Sequence, residues 1–174
     1  MLLENVYSFV YLGSELAADG DQQVTLKHRC DVAWGRFNEH RATLTSTKLP
    51  VNMRLRLYAA LVVMTMVYGS SAWFFTPDIK KRLNNVNSEM LPSITKRTIH
   101  AKASTPSFNA VKRVLSHRRS YLGHILRADE SRMVRRFLLE LSPDREPFLA
   151  GSLLEEAGFE NTVDAIEAAV NREL

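Results

Sequence analysis

The stretch LYAALVVMTMVYGSSAWFF, residues 57–75, contains 19 consecutive residues without a charge. This is about the length that a helix needs to cross the hydrocarbon core of a bilayer. Gly69, Ser70 and Ser71 weaken its second half as a membrane segment, and basic residues lie close to the stretch on both sides. We therefore expect a central helix that neighbouring helices bury on most of its surface, and a single membrane span is the less favoured alternative.

The composition is typical of a soluble globular protein. The 174 residues are 45% hydrophobic and 24% charged, enough for one core or for one core with a small appendage. The single cysteine, Cys30, excludes a disulfide framework and a cysteine-based zinc site. It favours a reducing intracellular compartment, either nucleus or cytoplasm. The N-terminal MLLENVYSF has no basic region, so we expect no signal peptide and no secretion.

Charge is unevenly distributed along the chain. Residues 1–20 carry a net charge of −3, residues 21–136 carry +14, and residues 137–174 carry −7. A long basic segment interleaved with aromatic residues is typical of proteins that bind polyanions, because neutralising phosphates releases counterions. A set of solvated helix faces is the alternative interpretation.

Apolar periodicity, turn residues and caps predict a series of helices. Thr76-Pro77-Asp78 is a helix start, because threonine caps, proline suits the first turn and aspartate favours the helix dipole. Pro92 is expected to end or kink that helix. The other predicted helices cover residues 22–45, 50–75, 105–128, 129–141, 149–157 and 162–173, with a domain boundary near residue 142.

A strand pair is predicted before the helices, in VYSFVYLGSELAADGD, residues 6–21. Tyr7, Phe9 and Tyr11 alternate with smaller side chains and so share one strand face, and residues 18–20 supply the turn. A hairpin that exposes aromatic rings needs a partner sheet to bury them. The predicted fold class is mainly α: a short N-terminal β-hairpin, a bundle of four to five helices and a small C-terminal helical pair.

Four segments occur in an order that is typical of one protein family. They are YLG followed by DG within residues 6–21, RCDVAWGRF at 29–37, LRLYAALVVMTMVYGSSAW at 55–73 and RRSYLGHILRADESR at 118–132. Together they resemble the region downstream of the polymerase palm in non-LTR (LINE-type) retrotransposon reverse transcriptases. The resemblance covers roughly residues 7–136.

The resemblance implies three parts. Residues 1–21 resemble the primer grip, a hairpin at the edge of the palm, in which Tyr11, Leu12 and Gly13 match the family's YLG. Residues 22–142 resemble the thumb, a basic helical bundle that clamps the template-primer duplex. Residues 143–174 form an acidic helical tail that does not match the family's downstream segment.

No catalytic residue is predicted. In the family, the carboxylates that hold two Mg²⁺ ions lie in a Phe/Tyr-x-Asp-Asp turn upstream of YLG, and these 174 residues do not contain it. His117 and His124 share a helix face, but no third ligand is spaced for a metal. We therefore expect a noncatalytic fragment of an RNA-directed DNA polymerase with no cofactor of its own, Mg²⁺ being needed only by a complete polymerase.

Basic residues on two predicted helices are the candidates for phosphate contacts. In the first helix, Arg29 and Arg36 share a face with His40, opposite the apolar face. In the fourth helix the candidates are Lys112, Arg113, Arg118, Arg119, His124 and Arg127. We expect these side chains to bind the backbone of an RNA–DNA or DNA duplex, which gives affinity and register but little sequence preference. The missing palm and fingers region is a further expected partner.

The chain also departs from the family pattern. Ser71 stands where the family has an acidic residue, and Ser120-Tyr121 replace an Arg-Trp pair. These differences favour a decayed or truncated element. Two alternatives therefore stay open: a structural remnant or interaction module without nucleic-acid affinity and, less favoured, a small single-span membrane protein.

Overall fold

The computed structural model describes residues 6–11, 13–73, 75–96, 108–139, 154, 158 and 162–171. In these ranges the chain is mainly helical and begins with a two-stranded antiparallel hairpin, which confirms the predicted fold class. The chain forms two compact units, residues 1–113 (unit 1) and residues 114–174 (unit 2). The domain limits predicted at residues 21 and 142 stay predictions.

The hairpin consists of β1, Ser8–Tyr11, and β2, Ser14–Ala17. The chain reverses between the strands at Gly13, whose φ of 80° is open to glycine without a Cβ penalty. The predicted turn at residues 18–20 is confirmed, and it leads from β2 into the first helix. The two strands themselves pair across the short connection that contains Gly13.

The first helix, α1, spans Gln22–Glu39. The Asp21 side chain caps it by accepting a hydrogen bond from the Gln23 backbone N–H at 2.8 Å. The predicted apolar face is confirmed, since it is buried along its length at Leu26, Cys30, Ala33 and Phe37. The predicted helix over residues 22–45 is divided at His40, after which α2, Arg41–Leu44, follows.

The central helix of unit 1 is built from three consecutive pieces. They are α3, Val51–Tyr58, a π-helical segment, Ala59–Val63, and α4, Met64–Met66. The expected burial is confirmed, because the inward side chains of all three pieces are almost inaccessible to solvent, namely Tyr58, Val62, Val63 and Met66.

The central helix ends earlier than predicted. Gly69 has a φ of 73°, which departs from helical geometry, and a short 3₁₀ turn, Ser70–Ala72, follows. The helical path therefore stops well before residue 75. Within the described ranges, no helix combines the length and the hydrophobicity that crossing a membrane requires.

The next helix, α5, spans Pro77–Thr95. The predicted start is confirmed, since Thr76 Oγ1 accepts a hydrogen bond from the Ile79 backbone N–H at 3.4 Å. Pro92 was expected to end or kink this helix, and it does not end it, because it lies inside the helix. Proline removes one backbone donor, but only three residues follow it in the helix, and the Lys96 N–H closes the last turn by donating to the Pro92 carbonyl at 2.8 Å.

Buried polar side chains tie the central helix to α5. The Tyr58 hydroxyl donates to Asn87 Oδ1 at 2.7 Å. Arg54 donates from Nε to the Leu49 carbonyl at 3.1 Å and from Nη1 to the Ile94 carbonyl. Because buried polar groups are costly when unpaired, these bonds fix α5 against α3.

Unit 2 contains most of α6, Ala110–Leu126, together with α7, Met133–Leu139, and α8, Thr162–Val170. The predicted start of α6 at residues 105–106 lies outside the described residues. α7 begins four residues later than predicted, because Asp129 Oδ1 caps a preceding turn by accepting from the Ser131 backbone N–H at 2.9 Å.

The predicted C-terminal pair is described in part. α8 confirms the last predicted helix, although it ends at Val170 and residues 172–174 lie outside the described residues. The predicted helix at residues 149–157 also lies outside them, apart from Leu154, which is helical and buried.

Candidate nucleic-acid interface

Arg29 lies on the buried side of α1, so its predicted place on the exposed basic face is wrong. The residue is 6% exposed. It falls in the buried row that contains Leu26 and Ala33, because residues three and four apart share a helix face. Arg36 is exposed, and its Nη1 donates to Glu39 Oε2 at 2.9 Å. Of the two predicted contacts in α1, Arg36 is thus the one at the surface.

The Arg29 guanidinium packs between the hairpin and the end of the central helix. Its Cζ lies 4.4 Å from the centroid of the Tyr68 ring, a cation–π geometry. A Cβ added to Gly13 would lie 2.8 Å from Arg29 Nη2, so the guanidinium would have to shift to admit a larger residue there. Nε and Nη2 are buried and have no hydrogen-bond partner among the residues that the structure describes. Burial lowers the pKa of the guanidinium below its ordinary value, and the nearby Tyr68 partly offsets this effect.

Three of the four segments that resemble the reverse transcriptase family meet at this contact. Gly13 comes from the YLG segment, Arg29 from RCDVAWGRF and Tyr68 from LRLYAALVVMTMVYGSSAW. A Cβ on Gly69, next to Tyr68, would lie 3.4 Å from the Ser14 hydroxyl. We call this contact the hairpin junction, and it gives Arg29 a packing role.

Arg118 is also buried, at 1% exposure. Ala110, Val114 and Leu122 are buried as well and lie at four-residue intervals with it, so the packed row of α6 runs through Arg118. Arg118, a predicted phosphate contact, therefore lies on the packed side of this helix. The exposed members of the predicted set are Lys112, Arg119, His124 and Arg127.

The predicted cations of α6 belong to both units. Lys112 and Arg113 are part of unit 1, whereas Arg119, His124 and Arg127 are part of unit 2. Arg127 Nη1 donates to the Ala169 carbonyl at 3.2 Å, so this side chain also joins α6 to α8. The assignment of these residues as nucleic-acid contacts stays a prediction.

A surface cleft in unit 1 brings two arginines to one cavity. The cavity has a volume of about 400 Å³ and is lined by Arg56, Ala59, Ala60, Met64, Phe108 and Arg113. Arg113 Nε donates to Met64 Sδ at 3.3 Å, which holds this guanidinium at the cleft wall. None of the six lining residues is acidic. The cleft is therefore a concave surface with positive charge, which favours anionic ligands.

Sequence reasoning missed Arg56 and Phe108 as site residues. The signal for Arg56 was the alternation Arg54-Leu55-Arg56. Helix residues two positions apart point in different directions, so a helix that buries one of these arginines exposes the other. Phe108 had no comparable signal, because its place in the cleft depends on tertiary packing.

The hairpin presents aromatic side chains to solvent. Tyr7, Phe9 and Tyr11 are 63%, 53% and 58% exposed. The Phe9 and Tyr11 rings make an edge contact with centroids 6.5 Å apart. Leu12, the middle residue of the predicted primer-grip trio, lies outside the described residues, and the role of Tyr11 and Gly13 in a grip stays a prediction.

Across the part of the chain that the structure describes, no group of three histidine, cysteine, aspartate or glutamate side chains could hold a metal ion. His117 is half-buried and His124 is exposed on α6.

Comparison with curated proteins finds the uncharacterized transposon-derived protein F52C9.6 of Caenorhabditis elegans. It is 26% identical to this chain over 88 residues, which are 51% of this chain and 31% of the relative. The matched region thus covers less than a third of the relative's length. No protein-family model and no solved structure matches the chain. The similarity supports a transposon-derived origin and does not assign an activity.

Proposed function

We propose that the chain is a noncatalytic part of a retroelement RNA-directed DNA polymerase and that its basic helices hold the backbone of template-primer nucleic acid. The similarity to a transposon-derived protein supports the origin. The order of the four reverse-transcriptase-like segments, and the hairpin followed by helices, support the kind of element. The chemistry of bond formation would belong to the polymerase's catalytic carboxylates, and this chain would contribute binding.

The observation that carries the proposal is the cleft in unit 1. Arg56 and Arg113 line one cavity and none of its described lining residues is acidic; both arginines belong to the segment whose net charge is +14. A concave, positively charged surface raises the local concentration of anions. Exposed Lys112 would add positive charge to unit 1, and exposed Arg119 of unit 2 would bind a further phosphate.

The hairpin would contact the palm of the same polymerase. A two-stranded hairpin is marginally stable in water by itself, and exposed apolar patches mark interaction surfaces. Tyr7, Phe9 and Tyr11 form such a patch. The patch also favours a second candidate function, a protein interaction module without nucleic-acid affinity.

Titration of a labelled RNA–DNA duplex with the full chain tests the proposal. Affinity should fall steeply between about 50 and 200 mM salt, because each neutralised phosphate releases counterions. The variant Lys112→Gln/Arg119→Gln should bind more weakly than the charge-matched control Lys48→Gln/Lys81→Gln, in which both replaced lysines are exposed residues outside α6. Absence of binding at the lowest salt would reject the proposal and favour the interaction module.

A further inference from the structure

The lining of the cleft is both positively charged and apolar. A site for phosphate alone would need only the positive charge. Arg56 and Arg113 supply positive charge, whereas Ala59, Ala60, Met64 and Phe108 are apolar. A cavity of about 400 Å³ lies in the range of sites that enclose small organic ligands, which begins at about 300 Å³. The ligand that suits it has an anionic group and a flat or apolar body.

The apolar lining residues of the cleft suit a planar ring. Ala59 and Ala60 begin the π-helical segment, and their methyl groups leave the backbone closely approachable. Met64, the first residue of α4, directly follows that segment. It contributes a polarisable thioether, which packs well against aromatic rings. Phe108 adds an aromatic wall on which a nucleobase can stack.

The two guanidiniums suit a phosphate. Arginine binds phosphate oxygens with paired, charge-assisted N–H donors. Arg113 uses its Nε toward Met64 Sδ, a weak acceptor, so this bond orients the side chain without neutralising its charge. Arg56 is exposed and belongs to α3, whereas Arg113 belongs to α6. Arginines from two separate segments of unit 1 therefore border the same space.

We propose that this cleft binds one unpaired nucleotide, with its phosphate held by Arg56 and Arg113 and its base packed against Phe108 and Met64. The inference rests on the proposed function and makes it more specific. A base within a duplex is stacked on both faces, so it cannot reach the aromatic wall, whereas a base in a single-stranded extension can. The cleft would thus favour a duplex that carries an unpaired nucleotide over a duplex that does not.

The first test compares a blunt RNA–DNA duplex with the same duplex that carries an overhang of about five nucleotides. The full wild-type chain should bind the overhang duplex at least about fivefold more tightly, because stacking of one base on an aromatic side chain has this magnitude. The gain should disappear in Phe108→Ala and in Ala60→Phe, which fills the cleft from an exposed position. Arg41→Gln, an exposed arginine outside the cleft, should keep the gain.

The outcomes separate this inference from the proposed function. Equal affinity of wild type for both duplexes, with normal salt dependence, overturns the nucleotide cleft and leaves backbone binding intact. Absence of binding to both duplexes overturns the proposed function itself. Retention of the full gain in both Phe108→Ala and Ala60→Phe also overturns the cleft assignment.

A second test separates the phosphate from the base. Adenosine monophosphate, ribose 5-phosphate and adenosine are titrated into the full chain, with chemical-shift changes in unit 1 as the readout. The monophosphate should bind at least about tenfold more tightly than either partial ligand, and Arg56→Gln should remove most of the advantage over adenosine. Equal binding of ribose 5-phosphate and the monophosphate would show a phosphate site without base recognition and would overturn the proposal.

Discussion

Arg54 and Arg56 lie two positions apart in α3 and have opposite environments. Arg54 is 4% exposed and donates to the Leu49 and Ile94 carbonyls inside unit 1. Arg56 is exposed and borders the cleft. The inward and outward faces of one helix thus give the same side chain two different uses. Position on the helix, rather than the charge itself, decides whether an arginine stabilises the fold or remains accessible to a ligand.

The hairpin junction adds a third environment. Arg29 is buried like Arg54, but within the described part of the chain its Nε and Nη2 have no hydrogen-bond partner. A buried polar group without a partner costs free energy, whereas the donors of Arg54 are used. We therefore expect the stability of the chain to depend strongly on Arg54 and little on the charge of Arg29.

The largest expected effect is that of Arg54→Met. The free energy of unfolding should fall by about 3 kcal/mol, because the Leu49 and Ile94 carbonyls lose a charged donor. Urea denaturation followed by circular dichroism measures the change. Arg56→Met is the matched control, and as a surface substitution it should change stability by less than about 0.5 kcal/mol. Similar losses for the two variants would break the contrast between the two faces of α3.

Gly13→Ala should have the next largest effect. A residue with a Cβ is strained at a φ of 80°, and the new methyl group would press on Arg29 Nη2. The expected loss of stability is about 2 kcal/mol. The control is Gly35→Ala within α1, where an added Cβ meets nothing within 4 Å and alanine should stabilise by up to about 1 kcal/mol. Destabilisation of the same size by both variants would show that the hairpin junction is not tight.

Tyr58→Phe should lower the free energy of unfolding by about 1.5 kcal/mol. The hydroxyl is buried, and its removal leaves Asn87 Oδ1 without this donor. Tyr68→Phe is the comparison, because Tyr68 is exposed and its ring contact with Arg29 is kept. Thermal melts of both variants measure the difference, and a larger loss for Tyr68→Phe would contradict the assignment.

The free energy of unfolding at alkaline pH should also distinguish buried Tyr58 from an exposed tyrosine. Burial raises the pKa of Tyr58 above its ordinary value of 10.0. Above pH 10 the unfolded chain therefore loses the Tyr58 proton while the folded chain keeps it, so stability falls as pH rises. The Tyr58 contribution to this slope approaches about 1.4 kcal/mol per pH unit. Unfolding titrations at about pH 9 and pH 11 should show a shallower decline for Tyr58→Phe, and an unchanged decline would count against burial of the hydroxyl.

The smallest effect is expected for Arg29→Met. Replacing a buried, unpaired charge by an apolar side chain of similar length is neutral or stabilises by about 1 kcal/mol. In the Gly13→Ala background the same change should recover part of the lost stability, because the clash with Nη2 is removed. A loss of more than about 2 kcal/mol in the single variant would show that Arg29 supplies a polar contact that the fold requires.

Local signals in the sequence predicted much of the fold. Thr76-Pro77 marks the start of α5 because capping depends on neighbouring residues alone. The buried face of α1 follows from helical spacing. The end of the central helix was misjudged because Gly69 interrupts an uncharged stretch that looks continuous by composition. Pro92 does not end α5, because its cost falls near the end of a helix that tertiary contacts stabilise.

The site was harder to predict than the fold. Arg29 and Arg118 were treated as surface cations because arginine is usually exposed, yet both lie in the packed row of their helices. An apolar row extended to include positions 29 and 118 would have identified both arginines as buried. Arg56 and Phe108 meet in the cleft across 52 positions of sequence, and no local pattern encodes such a contact.

The salt dependence of RNA–DNA duplex binding tests the central claim most directly. For the wild-type chain, the logarithm of the association constant should fall linearly with the logarithm of salt concentration. In Arg56→Gln/Arg113→Gln the slope should be smaller in magnitude by about 1 to 2, since each lost phosphate contact removes about 0.9. Arg54→Met, assayed under conditions in which the variant is folded, should show the wild-type slope. The same slope and affinity for wild type and the Arg56/Arg113 variant would contradict the account.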